Sequence, residues 1–169
     1  MKRMLALMCA LLLAIAPLPV AAGGSLEGRI VTLNVETWRD DMTPFFTSRG
    51  RTVTVGSGVE FALLPEGAQG GFDVVPVQVE ITQNRIEFSY GADRGIFWDA
   101  PFNGYILRFA VDCALFEAVA IDEDATTMPV TSDNIRTEGG ALFINVAGMA
   151  YGPDARLSLD FRISECLLG

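Results

Sequence analysis

Apolar residues recur at every second position along most of this chain, a period that suits a pleated strand with one face in a core and the other in solvent. The spans 29–36, 51–55, 59–64, 77–81, 85–90, 104–111, 116–121, 141–147 and 156–163 read as strands, and 135–137 as a shorter one. Val31, Leu33 and Val35 share one face of the first. Leu157, Leu159, Phe161 and Ile163 share one face of the last. A tight turn around Gln83-Asn84 predicts a hairpin between 77–81 and 85–90. Its inward face is Val77, Val79, Ile81, Ile86, Phe88 and Tyr90; its outward face carries Gln78, Glu80, Arg85 and Glu87. Helical periodicity is nearly absent. The one stretch where a short helix would fit is 113–118, and it reads better as loop and strand. Short strands separated by Gly, Pro, Asn and Asp turns predict an all-β chain, a single antiparallel β-sandwich of jelly-roll or immunoglobulin-like topology. A barrel is the alternative.

The first 22 residues break the pattern. Lys2 and Arg3 precede an apolar run from Met4 to Ala16, followed by Pro17, Pro19 and the small residues Val20, Ala21 and Ala22. A positive start, a short apolar core and a small-residue exit spell a secretory signal peptide over 1–22, cleaved after Ala22. The core is too short for a permanent membrane span, so no membrane anchor is expected in the mature chain. This leaves 23–169 as one β-sandwich domain, exported to the periplasm or beyond. Cys9 is lost with the signal. Cys113 and Cys166 remain, an even pair in an oxidising compartment, and a disulfide is the expected outcome. No C-x-x-C spacing supports a reactive thiol pair instead. Closing a loop of about fifty residues would stabilise the fold by roughly 4 kcal/mol on the chain-entropy model.

Charge narrows the function. The net charge is -9, and without Lys2 and Arg3 it is -11. Lys2 is the only lysine and the chain has no histidine, so arginine is the sole cation of the mature domain. Histidine triads, His-ligated metals and Schiff-base lysines are thereby excluded. Nucleic acid is not an expected partner, because phosphate binding needs a basic stripe. Nor is electrostatic docking on anionic lipid.

Four stretches in order are spread over most of the mature chain: Thr52-Val53-Thr54-Val55-Gly56-Ser57-Gly58-Val59-Glu60-Phe61, Phe102-Asn103-Gly104-Tyr105-Ile106-Leu107, Ser132-Asp133-Asn134-Ile135, and Leu142-Phe143-Ile144-Asn145-Val146-Ala147-Gly148-Met149. Their order and spacing resemble a group of exported bacterial β-sandwich proteins, many of unassigned function, that often carry a PEP-CTERM type sorting tail. The resemblance implies a secreted or surface sandwich and no known catalytic residues. The chain departs from that pattern in lacking a C-terminal Pro-Glu-Pro box, membrane helix or basic tail, so exosortase-type anchoring is not expected. It also adds Thr137-Glu138-Gly139-Gly140 and the Cys113/Cys166 pair.

Two clusters are candidate sites. Phe97, Trp98, Phe102 and Tyr105 flank Asp99 and Asn103 in one turn-rich stretch. Aromatic faces beside short polar groups suit a saccharide, whose C–H face stacks on a ring; core packing at a strand end is the competing reading. Phe97, Trp98, Asp99, Asn103 and Tyr105 are the candidate ligand-binding set, and Trp38 before Arg39-Asp40-Asp41 stands under the same two readings. Asp122-Glu123-Asp124 is the densest acidic run and the candidate calcium loop, with Asp93, Asp99 and Asp154 in other loops able to converge on it. It lacks the glycine-spaced pattern of a calcium loop, so a solvated strand end competes. No cofactor is expected, with calcium at that loop the one candidate. Gly56-Ser57-Gly58 precedes strand-like residues rather than a helix N-terminus, and reads as a structural turn.

The expected role is therefore non-enzymatic: an exported binding or surface-associated protein, with a carbohydrate or a surface protein as partner. A structural subunit of an extracellular matrix is one alternative. An acid-pair glycoside hydrolase is the other, although no motif singles out a pair. Sheet edges carrying Arg29, Glu36, Arg156 and Arg162 would discourage strand addition, which predicts a monomer.

Overall fold

The computed structural model describes residues 24–64 and 67–166. The signal-peptide reading of 1–22 lies outside them. The described chain is all-β. Its strands are β1 (Ile30–Trp38), β2 (Pro44–Thr47), β3 (Arg51–Thr54), β4 (Val59–Phe61), β5 (Ala68–Gln69), β6 (Phe72–Asp73), β7 (Val77–Ile81) and β8 (Arg85–Tyr90). There follow β9 (Gly95–Ile96), β10 (Phe102–Phe109), β11 (Phe116–Ile121), β12 (Ile135–Glu138), β13 (Ala141–Asn145), β14 (Ala150–Tyr151) and β15 (Arg156–Ile163). One 3-10 turn, Ser132–Asn134, leads into β12.

Two antiparallel sheets form the sandwich. One has the order β12-β13-β10-β1-β2, with β3 also on β1; the other is β11-β15-β8-β7-β4. β2 and β3 share one side of β1, pairing with Glu36–Trp38 and Ile30–Leu33 respectively. At the break between them the Ser48 hydroxyl accepts from Val35 N at 2.8 Å, and Ser48 N donates to Val35 O at 2.8 Å. A side chain thus stands in for the missing ladder acceptor, as a buried amide requires.

The predicted alternation holds where it was cleanest. Val77, Val79, Ile81, Ile86, Phe88 and Tyr90 are all buried, in a hairpin registered Ile81 to Ile86 and Val79 to Phe88. The sheets meet through rings: Phe88 lies 5.4 Å from Tyr105, and Phe109 lies 5.7 Å from Phe116. Burying one such ring contributes about 2–3 kcal/mol. The stretch 113–118 contains no helix; β11 begins within it.

The edges are not where the charges suggested. β1 lies between β10 and β2/β3, and β15 lies between β11 and β8. Arg156 and Arg162 therefore sit on an interior strand, as does Glu36. Arg29 is itself buried just before β1, its Nε donating to Ser25 O at 2.6 Å. Glu36 is buried too, and its carboxylate is paired with Arg108 at 3.1 Å. The true edges are β12 and β2/β3 in one sheet, and β11 and β4 in the other. Strand order comes from distant pairings, which a local pattern does not encode.

β10 is a central strand and approaches β13 closely at Gly104. A Cβ on Gly104 would fall 1.9 Å from Ile144 O of β13, so only glycine fits there. Cys113 and Cys166 form the expected disulfide, with Cα atoms 6.1 Å apart. It joins the β10–β11 loop to the segment after β15, rather than strand to strand. Cys166 O also accepts from the buried Arg29 guanidinium at 3.4 Å.

Candidate functional site

At the end of the sandwich where β1 finishes and β10 begins, the segment 97–101 crosses over the sheet. Extended chain turns successive side chains to opposite sides. Phe97 points inward, 7% exposed, against Tyr151 at 4.9 Å and Tyr105 at 6.2 Å. Trp98 points outward and is 60% exposed. Its ring stacks over Phe72, 6.2 Å away and tilted by 19°, and meets Phe45 edge-on at 5.7 Å. Phe45 and Phe46 come from β2, and Phe72 from the β5–β6 hairpin. The rings of Phe45 and Phe46 lie 5.6 Å and 5.1 Å from that of Phe72.

The backbone beneath Trp98 is held from both sides. Phe97 N donates to Met149 O at 2.8 Å, and Gly148 N to Phe97 O at 3.1 Å. Asn103 is buried and donates through Nδ2 to Trp98 O at 2.8 Å, while its Oδ1 accepts from Thr37 Oγ1 at 3.2 Å. Asn145 completes the clamp. Its Oδ1 accepts from Asn103 N and Ala147 N, each at 3.1 Å, and its Nδ2 donates to Pro101 O at 3.0 Å.

A shallow groove of about 500 Å³ runs between the two tryptophans, lined by Trp38, Phe45 and Trp98 with Asp40, Asp41, Asp99 and Arg39 at its rim. Trp38 is fixed by its indole N–H, which donates to the buried Glu36 carboxylate at 2.8 Å, and by Phe102, 4.7 Å away. A second cavity of about 250 Å³ lies on the other side of Trp98, between Phe46, Phe72, Ile96 and Tyr151. The turn bounding the groove is capped by Asp41, whose Oδ1 accepts from Thr43 Oγ1 and from Thr43 N. Those two hydrogen bonds hold the Asp41 carboxyl below its ordinary value, the hydroxyl contributing most. Met42, at the tip, has φ +60° without being glycine and is exposed. Such a conformation is uncommon for a side chain of this kind.

The five residues picked from the sequence therefore divide. Trp98 and Asp99 face the groove, Asn103 holds the segment that presents them, and Phe97 and Tyr105 pack into the core. Burial pushes the phenol of the neighbouring Tyr90 up, against an opposing hydrogen bond with Tyr105. Phe45 and Phe72 are not legible as site residues in the sequence, since they lie on β2 and β6, distant along the chain from Trp98.

The acidic run is organised differently. Asp122 Oδ1 accepts from Asp124 N and Ala125 N, each at 3.2 Å, and its Oδ2 meets Arg85 Nη2 at 2.8 Å. The same guanidinium holds Asp160 through two bonds, at 2.8 Å and 3.1 Å. Asp122 is thus a turn cap and an ion-pair partner, while Glu123 and Asp124 are exposed. Asp154 pairs with Arg94 at 3.0 Å, and Asp99 borders the aromatic groove. Among the described residues, no group of three or more acidic or cysteine side chains is placed to hold a metal ion.

Fold and site together define an all-β, disulfide-bridged sandwich with an aromatic surface at one end. Compared with known proteins, the chain matches no family model, no curated protein and no solved structure.

Proposed function

We propose that this chain is an exported, non-enzymatic binding protein that holds a saccharide against the aromatic surface around Trp98. The observation that carries this reading is the exposure of an indole whose backbone is clamped on both sides and whose ring rests on Phe72 and Phe45. A rigid aromatic face costs little entropy to dock against. With 60% of the residue exposed, on the order of 150 Å² of Trp98 stays in contact with water, and covering it would contribute at most about 3–4 kcal/mol. Short carboxylates at the rim supply hydrogen-bond acceptors for hydroxyl groups, the usual complement of an apolar stacking face. Export rests on the signal-peptide pattern of 1–22 and on a disulfide that persists in oxidising compartments. The resemblance to exported bacterial sandwiches points the same way. A role in binding rather than catalysis suits a mature domain without histidine or lysine.

Affinity electrophoresis in gels containing neutral soluble polysaccharides, with tryptophan fluorescence titration of the matching oligosaccharides, tests this directly. At least one glucan, xylan or chitin-derived ligand is expected to retard the native protein, and Trp98→Ala to abolish that retardation while leaving the thermal melt in place. Free migration of the native protein through the whole panel, or equal retardation of the variant, would overturn it.

A further inference from the structure

Every open sandwich has exposed sheet edges, and natural chains blunt them with short strands, proline, bulges or charge. Three edges of this one are blunted. β4 has three residues, and its Glu60 carboxylate accepts from Gly56 N at 3.0 Å and Ile81 N at 2.6 Å. The β2/β3 edge starts at Pro44 and is interrupted between Thr47 and Arg51. β12 has four residues, two of them the charged Arg136 and Glu138. β11 differs. It has six residues, and Ala118-Val119-Ala120-Ile121 carries no charge. Its one acidic residue, Glu117, falls where the register shifts between Phe116 and Ala118.

We propose that β11 is a self-association edge, on which two copies of this chain pair antiparallel about a two-fold axis at Ala120. Val119 and Ile121 stand opposite the buried Phe161 and Leu159, so both face the core, and both are only partly covered. Ala118 and Ala120 face outward and are exposed. An edge that meets its own copy must match when reversed. About Ala120, Val119 meets Ile121 of the second copy on the inward face, a favourable β-branched pair formed twice, and alanine meets alanine on the outward face. One step further, Ala118 meets Asp122 of the second copy, whose carboxylate is already held by Arg85. The next step, Glu117 to Glu123 of the second copy, falls at the register shift and in the turn beyond β11, outside the four uncharged residues, and is a like-charge contact that salt screens.

The neighbouring edge does not oppose a second copy. β12 lies on the same side of the sandwich, since Leu115 N, just before β11, donates to Gly139 O, just after β12, at 3.0 Å. Arg136 and Glu138 are two residues apart on that strand. They pair with each other within the strand, so this side adds no uncompensated charge to the approach of a second copy. The acidic net charge of the chain opposes association as a whole, so the dimer tightens as salt screens that repulsion.

Light scattering coupled to size exclusion, at low and high salt, reads the result. The native protein should show the mass of two chains, more completely at high salt. Ala120→Lys and Ala120→Glu each place like charges face to face at the axis, and each should give the mass of one chain with an unchanged β-sheet circular dichroism spectrum. Mixing the two variants should restore the dimer, because lysine then faces glutamate. A native protein that stays at single-chain mass overturns the proposal. So does a dimer that either variant leaves intact, or a pair of folded monomeric variants that fail to recombine. None of these outcomes depends on whether a saccharide binds.

Discussion

Replacing Asn103 by alanine should damage stability and the aromatic surface together. Its amide donates to Trp98 O and accepts from Thr37 Oγ1, and the residue is 8% exposed. Two side-chain hydrogen bonds contribute about 1 kcal/mol each, and leaving their buried partners unsatisfied adds a further penalty, for a total of roughly 2–4 kcal/mol. For a domain of this size each kcal/mol moves the midpoint by about 2–4 °C, so a drop on the order of 10 °C is expected. The Asn103 backbone amide keeps its bond to Asn145 Oδ1, which limits the loss. Asn145→Ala removes the other half of the clamp, and the double variant should cost less than the sum, since both act on one segment. Differential scanning calorimetry gives the midpoints, and tryptophan emission reports Trp98, which should shift red as its support loosens. A midpoint for Asn103→Ala within a degree or so of the native value would refute the reasoning, because it would mean the clamp bears no net load.

Two further outcomes follow from other parts of the molecule. Replacing Cys113 and Cys166 by serine should lower stability by roughly 4 kcal/mol for a bridge spanning 53 residues, read by urea denaturation; an unchanged midpoint would show that the tie adds nothing to the packed sandwich. The depressed Asp41 carboxyl gives a sign for acid: its turn-stabilising contribution is complete above the ordinary aspartate value of 3.8 and is lost as pH falls through the lowered one. Carboxyl-detected NMR should find Asp41 titrating below the ordinary aspartate value of 3.8, and Thr43→Val should raise it.

Alternation made the hairpin of β7 and β8 and the bounds of β11 and β15 legible, because each buries one face against the opposite sheet. The same rule also limits the aromatic cluster. Adjacent residues in extended chain cannot share a side, so Phe97 and Trp98 had to part, one to the core and one to solvent. What stayed hidden is nonlocal. Phe45-Phe46 are neighbours rather than alternating, and Gly70-Gly71 marks the tip of a two-residue hairpin that delivers Phe72. Neither pattern says that both segments end beside Trp98. Edge position failed for the same reason. Arg156 and Arg162 mark the solvent face of β15, and a strand's solvent face says nothing about what pairs on either side of it.

The path of the chain also sets which way the molecule faces. Gly24 N donates to Ile163 O, and Cys166 O accepts from Arg29, so the two described ends lie side by side at the foot of β1. The tryptophan groove sits at its head. Nine residues at about 3.3 Å each put roughly 30 Å between the two. Anything tethered through either end, whether a resin, a sensor surface or a cell envelope, holds the sandwich like a post with its aromatic cap outermost. Immobilisation through these ends should leave the cap free, and attachment through the 39–43 turn should blind it.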